Sequence, residues 1–299
     1  MVFSSQEFEW ATHPTHLLPE TCPSGVDERG KISGMATPSR IEWTEHTWNP
    51  TTGCTKVSPG CRYCYAETMA KRLQAMGTPG YDNGFRLSLM ENRLGQPSRR
   101  KKPTIYFVNS MSDLFHEDIP NEFLDRVFSV IKETPHHTYQ ILTKRSDRLR
   151  SYFSKKTVPS NAWLGVSMEN RQYGIPRIDD LRAVDATVRF ISAEPLLEDI
   201  GKLDLSGIHW MIAGGESGPK ARPMQTAWVE SIHRQCGCFG IAFFFKQWGG
   251  WGADGKRRPK KANGRVFNGR VWNEMPGYPL NRQSPSGVFT ATSEGGRFA

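Results

Sequence analysis

Three of the six cysteines in this 299-residue chain lie within one eleven-residue stretch, from Cys54 to Cys64. Cys61 and Cys64 are separated by two residues, a spacing at which two thiolates can reach the same metal centre. Pro59 and Gly60 are a turn signal that can bring Cys54 alongside them. Six cysteines are too few for a disulfide scaffold in a chain of this length, so the crowding favours metal binding over crosslinks.

The spacing leaves more than one metal hypothesis open. A structural zinc ion takes four ligands, so a fourth would have to come from elsewhere in the chain. The candidates for that ligand are Cys22, His46, Cys236 and Cys238. A 4Fe–4S cluster could instead be held by three thiolates, with one iron left open for another ligand. Buried, inert thiols are a third interpretation, although they are more typical of a lone cysteine.

Predicted strands and helices follow this stretch along the chain. Runs rich in β-branched and aromatic residues occur at 104–109, 138–143, 162–167, 188–193, 208–213 and 241–245. They are largely apolar and do not alternate, which is typical of strands covered on both faces. Helical patterns occur over 65–76, 120–133 and 224–235. With a first strand near 41–48, the sequence predicts an α/β fold, a partial (β/α) barrel of about six to seven parallel strands.

Each predicted strand after the first ends in a polar, turn-forming cluster. Those clusters contain Asn109, Ser110, Asp113, Lys144, Arg145, Ser167, Glu169, Glu194, Glu216 and Lys246. In barrels and open α/β sheets, ligand chemistry lies at the carboxyl ends of the strands, so we expect these side chains to form one site. The Gly214-Gly215-Glu216-Ser217-Gly218 segment lacks the lysine of a phosphate-binding P-loop and the Gly-x-Ser-x-Gly pattern of a nucleophile elbow.

Composition limits the class of protein. Lys and Arg outnumber Asp and Glu by 39 to 30, for a net charge of +9. Residues 1–34 carry −3, which leaves +12 for the remainder, and residues 1–40 show no periodicity, so we predict a disordered leader there. No apolar run approaches the roughly 18 residues of a membrane span, and no export signal is evident, so we expect a cytoplasmic protein without membrane contact.

A basic extension rich in Gly and aromatic residues is predicted over 251–299. It carries Lys256, Arg257, Arg258, Lys260 and Lys261, interleaved with Trp251, Phe267 and Trp272. One interpretation is contact with a phosphate backbone plus base stacking, which would make nucleic acid a partner. The other is a solvated loop that packs its aromatic residues on the barrel.

The stretch Cys54…Cys61-Arg-Tyr-Cys64-Tyr65, after a first strand and before a helix, resembles the cluster loop of the radical S-adenosylmethionine superfamily. The gaps here are six and then two residues, where the superfamily usually has three and then two. Residues 41–250 also resemble a phage-associated family of uncharacterised proteins. That second likeness rests on Ile41-Glu42-Trp43-Thr44, Thr47-Trp48-Asn49-Pro50, the cysteine loop and Ala213-Gly214-Gly215-Glu216-Ser217-Gly218.

The superfamily resemblance implies a fold and two cofactors, a 4Fe–4S cluster and S-adenosylmethionine. Its members have a partial (β/α) barrel over the region that corresponds to 41–250. By that resemblance, Cys54, Cys61 and Cys64 would ligate three irons and S-adenosylmethionine would bind the fourth. A reductant of the flavodoxin or ferredoxin type would supply the electron that cleaves the cofactor.

The resemblance also implies roles for side chains after the barrel strands. Tyr63 would lie against the adenine of the cofactor. The second predicted strand ends at Asn109, and Ser110 and Asp113 would stand in for the superfamily's methionine-binding motif. Ser167 and Glu169, after the fourth strand, would meet the ribose.

The leading hypothesis is therefore a radical S-adenosylmethionine enzyme that abstracts hydrogen from a substrate. The positive charge favours nucleic acid or a nucleotide-derived molecule. Charged residues at the barrel mouth would hold that substrate, namely Lys144, Arg145, Glu194, Glu216 and Lys246. The alternatives are a zinc- or cluster-binding nucleic-acid-binding protein and a non-catalytic partner subunit, both on the same fold.

Overall fold

The computed structural model describes residues 37–39 and 41–277 of the chain. Within these residues, seven parallel strands are hydrogen-bonded to one another in chain order and curl into an open half-barrel. They are β1 (His46–Trp48), β2 (Ile105–Val108), β3 (Thr138–Thr143), β4 (Ala162–Ser167), β5 (Val188–Ala193), β6 (Trp210–Gly214) and β7 (Ala242–Gln247). The predicted α/β partial barrel is confirmed.

Six helices accompany the strands in the part of the chain that the structure describes. They are α1 (Tyr65–Ala75), α2 (Asn121–Glu133), α3 (Ser146–Phe153), α4 (Arg171–Arg182), α5 (Thr226–Phe239) and the short α6 (Lys260–Asn263). Single 3-10 turns cover Pro59–Cys61, Glu91–Arg93 and Pro97–Arg99. Within the described part of the chain, no helix has the length and apolarity that a membrane span requires.

The barrel strands are buried on both faces, which explains their unbroken apolar runs. Outward-facing residues such as Leu164 and Ile191 pack under the helices, where α2 contributes its predicted apolar stripe. Inward-facing residues form a separate aromatic core that includes Trp43, Phe190 and Trp210. Gly165 leaves room for this core, because a Cβ at that position would lie 2.4 Å from the Phe190 ring.

Both edges of the half-barrel pair with flanking chain. The two-residue strand Thr37–Pro38 runs antiparallel to β1. At the other edge, residues after a hairpin (Val266–Phe267 with Arg270–Val271) run beside β7, where the Phe245 amide donates to the Trp272 carbonyl at 3.1 Å. Another short antiparallel pair, Thr51–Thr52 with Ser88–Leu89, lies beyond β1.

The two predicted terminal segments differ in how far the structure describes them. The proposed leader, residues 1–40, lies outside the described residues except for 37–39. In the extension, residues 251–277 are described, and their aromatic side chains pack on the barrel. Phe267 is 1% exposed, and the Trp251 indole donates to the Ala221 carbonyl at 2.7 Å. The aromatic residues of this segment therefore pack on the barrel, as the second of the two interpretations predicted.

Candidate active site at the barrel mouth

The cysteine loop, residues 53–64, follows β1 and the short strand Thr51–Thr52 and ends where α1 begins. The Cys54 amide donates to the Phe85 carbonyl at 3.1 Å, which ties the start of the loop to a neighbouring turn. The 3-10 turn over Pro59–Cys61 then reverses the chain, and Cys64 is the N-cap residue of α1. All three thiols are half-buried and none forms a disulfide. Burial and the nearby Asp113 carboxylate raise the pKa of Cys54 to about 11.

The donors of this loop suit an iron–sulfur cluster. Its residues from 53 to 64 contain three thiols and no carboxylate or imidazole, and thiolates are the usual ligands of such clusters. Across residues 37–39 and 41–277, no three His, Cys, Asp or Glu side chains are grouped to hold a single metal ion. A cluster makes a different demand, because each thiolate binds its own iron atom.

A cavity of about 400 Å³ opens at the carboxyl ends of the strands, and we call it the barrel-mouth cavity. Part of the cysteine loop lines it through Cys61, Tyr63 and Cys64. Predicted strand-end residues that also line it are Lys144, Ser167, Glu194, Glu216 and Lys246, from β3, β4, β5, β6 and β7. The apolar side chains of Trp43, Phe107 and Leu142 form its floor.

Opposite charges meet on the cavity wall. Lys246 Nζ lies 3.1 Å from Glu194 Oε2, which also accepts a 3.2 Å hydrogen bond from Ser192. Lys144 Nζ donates to the neutral Ser167 hydroxyl at 3.1 Å. Among the described residues Lys144 has no carboxylate within 4 Å, so its ammonium group can still accept an anionic ligand in the cavity.

Glu216 is connected to the cysteine loop through Arg222, a residue that the sequence analysis missed. Arg222 donates to the buried Glu216 carboxylate at 2.6 Å and to the Pro59 carbonyl at 3.1 Å. Its guanidinium also lies 5.4 Å from the centre of the Tyr63 ring, and Arg62 lies at the same distance. The signal that could have revealed Arg222 is a basic residue six positions after Glu216, within the same strand-end segment.

Six predicted site residues do not line the barrel-mouth cavity, and three of them anchor the segment after β2. Asn109 has a left-handed backbone (φ 60°) and its side chain donates to Thr51 at 2.9 Å. Ser110 donates to Asn49 at 3.2 Å. Asp113 is buried and accepts hydrogen bonds from the Thr143 hydroxyl at 2.7 Å and the Lys144 amide at 2.9 Å. Asn109 and Ser110 therefore connect the segment after β2 to the segment after β1, and Asp113 connects it to the end of β3.

Glu169 is the fourth, and it lies beneath the cysteine loop. Its carboxylate is fully buried and forms a 2.7 Å ion pair with Arg177 from α4. Gly60 packs directly against it, since a Cβ at position 60 would lie 3.2 Å from Glu169 Cδ. Although burial acts in the opposite direction, the charges of Lys144 and Arg177 lower the pKa of Glu169.

Arg145 also lies outside the barrel-mouth cavity, although it follows Lys144 directly. Its guanidinium is 7% exposed and contacts Cys54, Asp113 and Glu117. On the same side, Cys54 lines a second, larger groove of about 670 Å³ together with Arg86 and His116. The cysteine loop therefore separates two openings, with Cys61 and Cys64 on one and Cys54 on the other.

Two of the candidates for a fourth zinc ligand, Cys236 and Cys238, are remote from this site. Cys236 is buried among the outward-facing residues that pack under the helices, and Cys238 is exposed. Both lie near the end of α5, just before β7 begins and therefore at the opposite end of that strand from Lys246. Burial raises the pKa of Cys236 to about 12.

The basic residues near α6 border the barrel mouth. Lys260 lines the barrel-mouth cavity and also an adjoining hollow of about 430 Å³, which Arg257 and Arg258 share. Arg258 pairs with Asp254 at 2.8 Å and Lys260 with Glu42 at 3.2 Å. In the described part of the chain, Lys256, Arg257 and Lys261 belong to no ion pair.

Solved structures of spore photoproduct lyase resemble this chain distantly. One cysteine-to-alanine variant is 15% identical, with a TM-score of 0.43, over 62% of this chain, which spans 60% of that structure's length. A tyrosine-to-phenylalanine variant is 12% identical, with a TM-score of 0.46, over 73% of this chain and 80% of that one. A double variant with bound AdoMet and dinucleoside spore photoproduct is 14% identical, with a TM-score of 0.41, over 67% and 63% of the two chains.

Comparison with curated proteins finds no match. A family model does match residues 38–276, which include every residue of the cysteine loop, the barrel strands and the hairpin beside β7. That match covers well over half of the sequence. The chain therefore belongs to the family described as Protein of unknown function (DUF5131).

Proposed function

We propose that this protein is a radical S-adenosylmethionine enzyme in which Cys54, Cys61 and Cys64 hold a 4Fe–4S cluster. The observation that carries the proposal is the shared cavity. Cys61, Tyr63 and Cys64 line the same 400 Å³ space as charged side chains from the ends of four barrel strands. A pocket with a few convergent polar groups above an apolar floor is typical of a cofactor site.

When bound, the cluster supplies an electron for reductive cleavage of S-adenosylmethionine and hydrogen abstraction from the substrate. The residues of this chain would bind and orient the cofactor. The ring of Tyr63, whose centre lies 5.4 Å from the guanidinium groups of Arg62 and Arg222, would offer aromatic surface to adenine. Lys144 would bind a carboxylate, and Glu194 an ammonium group. The floor of Trp43, Phe107 and Leu142 excludes water from beneath the reacting groups.

The substrate we propose is nucleic acid or a nucleotide-derived molecule. Its phosphates would meet the unpaired cations Lys256, Arg257 and Lys261 while the reacting group enters the barrel-mouth cavity. Lys260 lines both the cavity and the adjoining basic hollow, so one ligand could span the two. Phosphate contacts of this kind supply affinity without reading sequence.

The test is anaerobic reconstitution with iron and sulfide, followed by metal counting and electron paramagnetic resonance of the reduced sample. We expect about four irons per chain, a spectrum that changes when S-adenosylmethionine is added, and release of methionine and 5′-deoxyadenosine with a flavodoxin or ferredoxin as reductant. Cys64→Ala should abolish cofactor cleavage. Cys238→Ala is the matched control, because that thiol is exposed and far from the cavity.

Two outcomes would replace the proposal. Tightly bound zinc with no cluster would leave a basic zinc protein whose nucleic-acid binding carries its function. A cluster without cofactor cleavage under any reductant would indicate a non-catalytic partner subunit.

A further inference from the structure

Arg145 lies directly beside Cys54, on the side of the cysteine loop that faces away from the barrel-mouth cavity. Its Nη1 donates to Cys54 Sγ at 3.4 Å. Neither Cys61 nor Cys64 has a guanidinium hydrogen bond among the contacts of the described residues. The loop's three thiols are therefore electrostatically unequal.

The guanidinium is fixed in this place by every one of its nitrogens. Nε donates to Glu117 at 2.6 Å, Nη2 donates to the Thr55 hydroxyl at 2.7 Å, and Nη1 is 3.3 Å from Asp113. Asp113 is itself held by the Thr143 hydroxyl and by the Lys144 backbone. A side chain with this many partners is pre-organised, and its position does not depend on a ligand arriving.

The positive charge of Arg145 acts on Cys54 at short range and with little screening. Arg145 is 7% exposed, so solvent and salt weaken its field much less than they would at the surface. The reduction potential of an iron–sulfur cluster depends on net local charge, on hydrogen bonds to its sulfurs and on burial. A cation that donates to a ligand sulfur stabilises the reduced, more negative cluster and so raises its potential.

We infer that Arg145 is a positioning residue that raises the reduction potential of the cluster through its contact with Cys54. This inference rests on the proposed function. Asp113 and Glu117 oppose the effect, because each places a negative charge against the guanidinium. The one-electron reduction of the cluster, with the electron taken from an external donor, is the step that Arg145 favours.

The experiment is a dithionite redox titration of reconstituted protein. The electron paramagnetic resonance signal of the reduced cluster is measured at each potential. Arg145→Gln should shift the midpoint potential to more negative values, because two carboxylates then remain without their cation. Arg145→Lys keeps the charge but not the fork of donors, and should give a smaller shift in the same direction. Glu117→Gln removes one opposing charge and should shift the potential the other way.

Arg126→Gln is the matched control, because Arg126 forms a surface ion pair with Glu91. It should leave the potential unchanged. If Arg145→Gln fails to retain iron, the shift in Arg145→Lys decides the matter, because Glu117 also acts on the cluster directly. Unchanged potentials in iron-loaded Arg145→Gln and Glu117→Gln protein would overturn the role of Arg145 and leave the proposed function standing. Failure of the wild-type protein to assemble any cluster would overturn both.

Discussion

The guanidinium of Arg222 lies 2.6 Å from the carboxylate of Glu216 and joins the segment after β6 to the cysteine loop. Glu216 is buried, whereas Arg222 is partly exposed and continues to the Pro59 carbonyl and the Tyr63 ring. The pair thus fixes the turn before Cys61 and one face of Tyr63 at the same time. Two segments that are distant in sequence become one wall of the barrel-mouth cavity.

Replacing Arg222 should weaken cofactor binding. Arg222→Gln removes hydrogen bonds to a buried carboxylate and to Pro59, and losses of this type cost about 1.5–3 kcal/mol. We expect the Kd of reconstituted protein for S-adenosylmethionine to rise roughly tenfold, measured by equilibrium dialysis. Arg62→Gln is the control, since Arg62 contacts Tyr63 at the same distance without the links to Glu216 and Pro59. Equal weakening in both variants would contradict the role of the Glu216 pair.

A methyl group at position 60 should disturb the cysteine loop. Its Cβ would lie 3.2 Å from Glu169 Cδ, and Glu169 has little freedom to move because it is buried and paired with Arg177. Overpacking of this kind costs about 1–3 kcal/mol. We expect Gly60→Ala to lower the urea midpoint and the iron retained per chain. Gly95→Ala is the control, because a Cβ there meets nothing within 4 Å. Iron loading at the wild-type level would argue against close packing of the loop on Glu169.

Stability should fall in mild acid because of His137. Burial lowers the pKa of this imidazole to about 4, and its Nε2 lies 3.0 Å from the Arg100 carbonyl. The unfolded chain has a histidine pKa near 6.5, so it binds more protons than the folded protein between pH 6.5 and 4. The free energy of unfolding should therefore decrease as pH falls through that window, by up to about 1.4 kcal/mol per pH unit.

Urea titrations at several pH values measure this slope directly. In His137→Gln the contribution should vanish and the curve should flatten between pH 6.5 and 4. His136→Gln, which changes the exposed neighbouring imidazole, serves as the control and should keep most of the wild-type slope, because burial is the main cause of the lowered pKa of His137 and His136 is a smaller one. An unchanged slope in His137→Gln would show that other groups cause the acid sensitivity.

The cations beside the barrel mouth should govern binding to a polyanion. We expect the triple variant Lys256→Gln, Arg257→Gln and Lys261→Gln to weaken binding of a fluorescent single-stranded oligonucleotide. The slope of log affinity against log salt should fall by about 0.7 for each phosphate that the variant no longer neutralises. Fluorescence anisotropy across a salt series measures both quantities.

The control for this variant removes the same number of positive charges at the other end of the barrel. Arg99, Lys101 and Lys102 are exposed and precede β2, so they lie near the amino ends of the strands. Their replacement by Gln should have little effect on the salt slope. Equal weakening by both triple variants would indicate diffuse attraction to a basic surface rather than a path to the barrel mouth.

The fold was predictable where a single physical requirement dominates. Strands covered on both faces need apolar runs, and α2 needs one buried stripe, so both were evident from sequence. The separate helices α3 and α4 were not, and α4 shows why. It contains Gly174 and Pro176, which obscure its periodicity, and it is held by tertiary contacts such as Arg177 with Glu169.

The site was predictable as a set of strand ends but not in the direction of each side chain. Lys144 and Arg145 are consecutive residues that follow the last residue of β3, and their side chains extend in different directions. Lys144 faces the barrel-mouth cavity while Arg145 extends to Cys54. A polar cluster in sequence cannot reveal which of its members faces the ligand. Arg222 was missed for a related reason, since its partners lie on two separate segments.

The segment of chain beside β7 covers an edge of the sheet that would otherwise be free to pair with another strand. An open half-barrel has two edges, and an uncovered edge strand offers unpaired amide and carbonyl groups to any other strand it meets. Here Thr37–Pro38 covers one edge, and Trp272, Asn273 and Glu274 cover the other through contacts with Phe243, Phe244 and Phe245. A chain shortened at residue 250 would keep every cysteine of the loop but expose the backbone of β7. We expect such a shortened chain to self-associate, so residues 251–277 are as much a part of the fold as the strands they flank.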